Sequence, residues 1–240
     1  MSDYAIKVED LHKEFLLPRH KHTSLKEAFV GRFKRETGAD TLHALKGVSF
    51  EIKKGEFFGV VGRNGSGKST LLKTLAGVYY PTKGNMHING KLVPFIELGV
   101  GFNPDLTGRD NVYLNGSLLG FSRKEISEMY DEIVDFSELE RFMDQKLKNY
   151  SSGMQVRLAF SIAIRAQGDI LLLDEVLAVG DDAFKRKCYN YFETMKNDAN
   201  QTVVLVTHSM PIIQQYCDRA LILKDGQVLE EGSPEKVTAR

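Results

Sequence analysis

The run Gly62-Arg63-Asn64-Gly65-Ser66-Gly67-Lys68-Ser69-Thr70 has the residue types and spacing to hold phosphate. Glycines at 62, 65 and 67 let the backbone turn without a Cβ in the way, so that successive N–H groups converge on phosphate oxygens. Lys68 is placed to neutralise charge between the β and γ phosphates of a nucleoside triphosphate, and the Ser69 hydroxyl to take one position on an octahedral magnesium ion. A chance glycine-rich turn would lack these flanks: the β-branched run Gly59-Val60-Val61 precedes the loop and the helical run Leu71 to Ala76 follows it. A strand feeding a helix also brings the positive helix end to the anion.

Two acids and a histidine add catalytic chemistry. Ile170-Leu171-Leu172-Leu173 is a continuous apolar run of the kind a fully buried parallel strand shows, and it ends in Asp174-Glu175. Carboxylates there are costly without a partner. Magnesium would compensate Asp174, and Glu175 is placed to polarise an attacking water. Thr202-Val203-Val204-Leu205-Val206 reads as another buried strand that delivers His208 to the same sheet edge, where it can donate to the γ-phosphate. The expected catalytic residues are thus Lys68, Glu175 and His208, with Ser69 and Asp174 on the metal.

The elements that must position these groups follow from pattern. Up to about Ile96 the chain is β-rich apart from the phosphate loop and its helix, with turn signals at Lys54-Gly55 and Asn89-Gly90. From Phe102 to Arg165 it turns helical, most clearly at Arg123 to Phe136, where Ile126, Met129, Tyr130, Ile133 and Val134 recur at helical spacing. Strands and helices then alternate again through Ile170, Thr202, Arg219 to Lys224 and Gln227 to Glu231. The helical stretch is therefore an insertion into an α/β core. Ser233-Pro234-Glu235 reads as a further helix start, so the natural protein is expected to continue past Arg240.

Composition limits the classes that remain. The 240 residues carry 32 basic and 32 acidic side chains, so no global field draws the chain to nucleic acid. Apolar runs fall short of the roughly twenty residues a membrane span needs. Met1 to Tyr4 opens into strand-like sequence without the look of a signal peptide. Cys188 and Cys217 lack metal-ligand spacing and read as reduced cytoplasmic thiols.

Together these residues resemble an ATP-binding cassette (ABC) ATPase, the nucleotide-driven subunit of a membrane transporter, over essentially the whole length. Tyr150-Ser151-Ser152-Gly153-Met154, followed by Arg157 and an apolar helix through Ala166, matches the family's signature motif. The resemblance implies that Ser151, Ser152 and the Gly153 backbone cap the γ-phosphate held by a second copy. The same segment is also an ordinary helix N-cap. Val179-Gly180-Asp181 resembles the loop linking the two sites across the dimer, and Phe15 matches the aromatic that stacks on adenine, with His43 and Tyr4 as competitors.

The fold implied is a P-loop NTPase core of ABC type, one α/β domain over 1–240. It divides into 1–101, a β subdomain with the first part of the core; 102–168, a helical subdomain; and 169–240, the remainder. Residues 94–102, Pro94 to Phe102, hold no Gln where the family usually has one, leaving Glu97 or a backbone group to substitute. Glu97 to Ile126 and Glu175 to Cys188 resemble the ATPases that export bacterial O-antigens, teichoic acids and capsules. An insertion at about 18–40 has Leu25, Ala28, Phe29 and Phe33 at helical spacing, with Lys26, Arg32, Lys34 and Arg35 beside them. Such a basic amphipathic helix is a solvated face, lies at a membrane interface or docks a partner.

The implied ligands are ATP and Mg2+, and the implied partners a second copy and integral membrane permease subunits that handle the lipid-linked polysaccharide. The implied place is the cytoplasmic side of the bacterial membrane. Two other classes stay open: a non-transport ABC protein of translation or repair, and a small-molecule kinase that would have no use for YSSGM.

Overall fold

The structure, a computed structural model, describes residues 3–17, 40–95, 99, 101–165, 168–174, 181–196 and 201–238. Glu97, Ala166, Glu175, Val179, Gly180 and the expected insertion helix lie outside the described residues.

Two sheets form the frame. Strand β1 (Tyr4–Leu17) pairs antiparallel with β2 (Asp40–Lys53) and with β4 (Lys83–Ile88), giving a three-stranded sheet of order β2-β1-β4. The larger sheet has the order β5-β6-β7-β3-β8-β9, from β3 (Phe57–Val61), β5 (Leu92–Phe95), β6 (Ile170–Asp174), β7 (Thr202–Thr207), β8 (Arg219–Lys224) and β9 (Gln227–Gly232). Its first five members run parallel and β9 closes the edge antiparallel. The apolar runs are the parallel strands: every residue of β3 and β7, and β6 up to Leu173, is buried.

Alternation along these strands divides the core in two. Phe57, Leu171, Leu173, Val203 and Leu205 pack with Phe160, Phe184, Phe192, Ile213 and Tyr216, which belong to α4 (Ser152–Ala163), α5 (Asp182–Lys196) and α6 (Met210–Tyr216). On the opposite face, Phe58, Val60, Leu172, Val204 and Val206 meet Leu71, Leu72 and Leu75 of α1 (Lys68–Leu75) together with Ile6, Leu11, Leu45 and Ile52 of the small sheet. A third cluster joins α2 (Gly108–Leu118), α3 (Arg123–Ser137) and α4 through Val112, Ile126, Ile133, Val134, Leu158 and Ile162. Helix α4 serves two clusters, with Leu158 and Ile162 in one and Phe160 and Ala163 in the other. It joins the helical layer to the sheet. A last short helix, α7 (Pro234–Thr238), begins at the expected Pro.

Boundaries differ in places. Helix α1 starts at Lys68 rather than Leu71, because Gly67, at φ 107°, turns the chain directly into it. Helix α4 ends at Ala163. The turn Asn89-Gly90 does not join paired strands: it carries the chain from β4 in the small sheet to β5, which pairs with β6 in the large one. The hairpin of the large sheet is instead Asp225-Gly226, with φ of 50° and 81°, between β8 and β9.

Candidate functional site

Parallel pairing assembles the site. Val61 lies opposite Thr207, and Val206 opposite Asp174, so β3, β7 and β6 end at one edge of the sheet. The phosphate loop leaves β3 there, Asp174 closes β6, and His208, exposed, follows β7. Carboxyl ends of parallel strands are where open α/β sheets hold ligands.

The loop is locked from below. Gly62 packs so closely that a Cβ would fall 2.4 Å from the Leu223 carbonyl oxygen and 2.5 Å from Ser66 Oγ. Gly67 combines its left-handed φ with an approach of 2.8 Å to the Ala44 carbonyl oxygen. The Lys68 side chain, 7% exposed, folds back so that Nζ donates to the carbonyl oxygens of Gly62 at 2.7 Å and Arg63 at 3.2 Å. Ser66 N–H donates to the Arg63 carbonyl at 3.1 Å, and Gly226 N–H to the Ser66 carbonyl at 2.9 Å. The hydroxyl of Ser66 is buried with no hydrogen-bond partner among the described residues.

Above the loop lies a cavity of about 850 Å³ lined by Leu42, His43, Ala44, Lys46, Asn64, Gly65, Gly67, Lys68, Ser69, Thr70, Asp174, Asp225 and Gly226. It unites seven of the residues expected from sequence: Asn64, Gly65, Gly67, Lys68, Ser69, Thr70 and Asp174. The set fits a magnesium-bound triphosphate, since a buried ammonium, a hydroxyl and a carboxylate border one space and the last two are hard oxygen donors. Gly62, Arg63 and Ser66 shape the turn rather than the wall. Asp225 and Gly226 were not expected in the site; Asp-Gly between two apolar runs signals a hairpin, but not that it borders the phosphate loop.

One wall of the cavity is built by β2, through Leu42, His43, Ala44 and Lys46. Lys13 pairs with Leu45 but Glu14 with His43, so Ala44 is an extra, bulged residue in that wall. Phe15, opposite Leu42, is half-buried with its ring edge-on to Tyr79 at 5.2 Å and Lys13 Nζ 5.0 Å from its centroid. It does not line the cavity; His43 does, with Nδ1 3.0 Å from a Glu14 oxygen. Tyr4 stands at the far end of β1.

The YSSGM segment lies away from this cavity. Tyr150 is buried, its hydroxyl donating to the Phe142 carbonyl at 2.8 Å, and Gly108 must be glycine because a Cβ would come 2.1 Å from that hydroxyl. Burial pushes the Tyr150 phenol up to about 12. Anchored this way, the chain presents Ser151 as the N-cap of α4, Oγ accepting from Met154 N–H at 3.2 Å, with Ser151 and Ser152 exposed. Gly153 is open: the nearest heavy atom to a Cβ there is Ser151 Oγ at 3.8 Å.

Asp181 caps α5, Oδ1 accepting from Phe184 N–H at 2.9 Å, and Oδ2 pairs with Arg157. The Phe184 N–H, then Arg157, hold its carboxyl below the usual range. Among the described residues no helix is long and apolar enough to cross a membrane.

Known proteins resemble this chain in sequence and in fold. The family model described as ABC transporter matches residues 45–178. The O-antigen export system ATP-binding protein RfbB of Myxococcus xanthus is 42% identical over 98% of this chain, which spans only 55% of that relative. The RfbB protein of Klebsiella pneumoniae is 40% identical, with 97% of this chain and 95% of the relative covered. Among solved structures, the dimeric post-hydrolysis state of the ATP-binding cassette MJ0796 bound to ADP and Pi superposes with a TM-score of 0.75 at 26% identity, covering 95% of this chain and 98% of that one. With a family model matched over more than half of its length and a relative covered almost end to end, the chain belongs to the ABC transporter family.

Proposed function

We propose that the chain is the ATP-hydrolysing subunit of a transporter that exports a lipid-linked surface polysaccharide across the cytoplasmic membrane. It works as a pair of copies attached to membrane-spanning subunits on the cytoplasmic side. The observation that carries this reading is the meeting of Lys68, Ser69 and Asp174 around one cavity in a chain that matches an O-antigen export protein almost end to end.

In this reading the Gly62 to Thr70 backbone and the start of α1 hold the phosphates, and Lys68 Nζ shifts from the Gly62 and Arg63 carbonyls to phosphate oxygens. Ser69 and Asp174 would hold Mg2+, which when bound neutralises charge on the phosphate oxygens. Glu175, next to Asp174, orients the attacking water and accepts its proton, and His208 donates to the γ-phosphate from the end of β7. The second copy places Ser151, Ser152 and Gly153 over that phosphate, using the exposed N-terminal end of α4, and Asp181 lies in the loop between the two sites. Most of the rate enhancement is positioning and charge stabilisation, because phosphoryl transfer leaves little covalent work for the protein.

The test is co-purification from cells followed by reconstitution. The expected result is a complex with a multi-span subunit whose ATP hydrolysis accompanies export of a polysaccharide. Absence of any multi-span subunit from the complexes recovered from cells, or phosphoryl transfer to an acceptor other than water, would overturn the reading.

A further inference from the structure

Helices α3, α4 and α5 meet through a chain of alternating charges. Arg157 of α4, 16% exposed, donates through Nη1 to Glu138 Oε2 at 3.3 Å and through Nη2 to Asp181, with its guanidinium 5.1 Å from the centre of the Phe184 ring. Glu138 is the left-handed residue that ends α3, at φ 58°. Its other oxygen accepts from Lys187 Nζ of α5 at 3.1 Å, and the same Nζ donates to the Asp135 and Phe136 carbonyls at 3.1 and 3.0 Å, closing the C-terminal end of α3.

This arrangement does little for stability. Asp181 and Glu138 are more than half or about half exposed, and pairs at such sites are screened and contribute little. Removing Arg157 orphans neither acid, since Asp181 keeps Phe184 N–H and Glu138 keeps Lys187. What the guanidinium supplies is orientation. Its planar fork ties the first turns of α4, which carry Ser151 and Gly153, to Asp181 on one side and to the end of α3 on the other.

We propose that Arg157 is a positioning residue for ATP turnover, fixing the angle of the Ser151–Gly153 end of α4 against Asp181 at the start of α5 and Glu138 at the end of α3. The proposal rests on the paired-copy reading above. Asp181 caps α5 through Phe184 N–H, so Arg157 links the end of α4 that meets the second copy's phosphate to the start of α5. Glu138 and Lys187 hold Arg157 in the orientation that makes this link.

The test compares the full chain with Arg157→Met, Arg157→Lys, Glu138→Gln and the Arg157→Met/Glu138→Gln double variant, with Mg2+ and ATP, measuring kcat, nucleotide affinity and unfolding midpoint. Arg157→Met is expected to lower kcat about 10- to 100-fold, the upper end being the scale of a 1 Å misplacement by a residue remote from the chemistry. Its nucleotide affinity is expected to stay within about twofold, because the ATP grip of the single copy lies elsewhere. Arg157→Lys should recover part of the loss, and the double variant should be no slower than Arg157→Met, since both remove one linkage. Unchanged kcat, equal losses in kcat and affinity, or additive losses would overturn the proposal. Glu138→Gln, at an exposed helix end, keeps the test valid should Arg157→Met unfold. A wild-type chain without ATPase activity would instead overturn the paired-copy reading, and the proposal with it.

Discussion

The N–H of Gly226 donates to the carbonyl of Ser66 at 2.9 Å, so the hairpin between β8 and β9 holds the phosphate loop from beneath. The carbonyl of Gly226 accepts in turn from Lys46 N–H at 2.8 Å, which ties loop, hairpin and β2 into one rigid corner. A substitution at Gly226 therefore disturbs the phosphate loop as well as the cavity wall.

Gly226→Ala is expected to weaken ATP binding and to destabilise the fold. Its φ of 81° costs an alanine about 1 kcal/mol, and the new Cβ would lie 2.7 Å from the Ala44 carbonyl oxygen. Gly65→Ala has the same φ but open space around the Cβ, so its loss in unfolding free energy should be the conformational part alone. Chemical denaturation of the two variants separates the effects.

Lys68→Ala should lower ATP affinity roughly 10- to 100-fold, the range expected for losing a hydrogen bond to a charged group. Titration with a fluorescent ATP analogue would show it. The unfolding midpoint should also fall, because the Lys68 ammonium bridges two carbonyls of its own loop.

Glu175→Gln should keep ATP binding and slow turnover on the order of 100-fold or more, the scale for losing an acid/base group. Single-turnover hydrolysis measures this directly. Near-normal turnover would require another base.

Stability should fall at alkaline pH. Burial pushes the Cys188 and Cys217 thiols up to about 12 from 9.0, so the native state keeps them protonated while the unfolded chain ionises them. The unfolded state then binds fewer protons, and the contribution present in full below pH 9 is lost as pH climbs toward 12. Tyr150, raised to about 12 from 10.0, acts in the same direction. Unfolding midpoints measured across this range should decline more steeply in the wild type than in a Cys188→Ala/Cys217→Ala variant.

Much of this was legible in the chain because it is contiguous. The phosphate loop is one unbroken run, and β6 and β7 announce themselves as apolar stretches that only a sheet covered on both faces can bury. What escaped depends on how distant segments meet. Asn89-Gly90 marks a turn, but turn residues do not say which sheet the next strand joins. The bulge at Ala44 shifts the register between Lys13 and Glu14, and strand alternation could not foresee that His43 would stand on the wall while Phe15 packs against Tyr79. Asp225-Gly226 reaches the site only through the sheet order, and the contacts of Arg157 depend on the rotation of three helices.

The pairing of two copies around ATP is tested most directly by sedimentation of Glu175→Gln with Mg2+ and ATP. The expected result is a dimer that forms with ATP, reverts to single copies when ATP is removed, and is lost when Ser151→Arg blocks the N-terminal end of α4. A single copy throughout, with wild-type hydrolysis per chain independent of protein concentration, would contradict it.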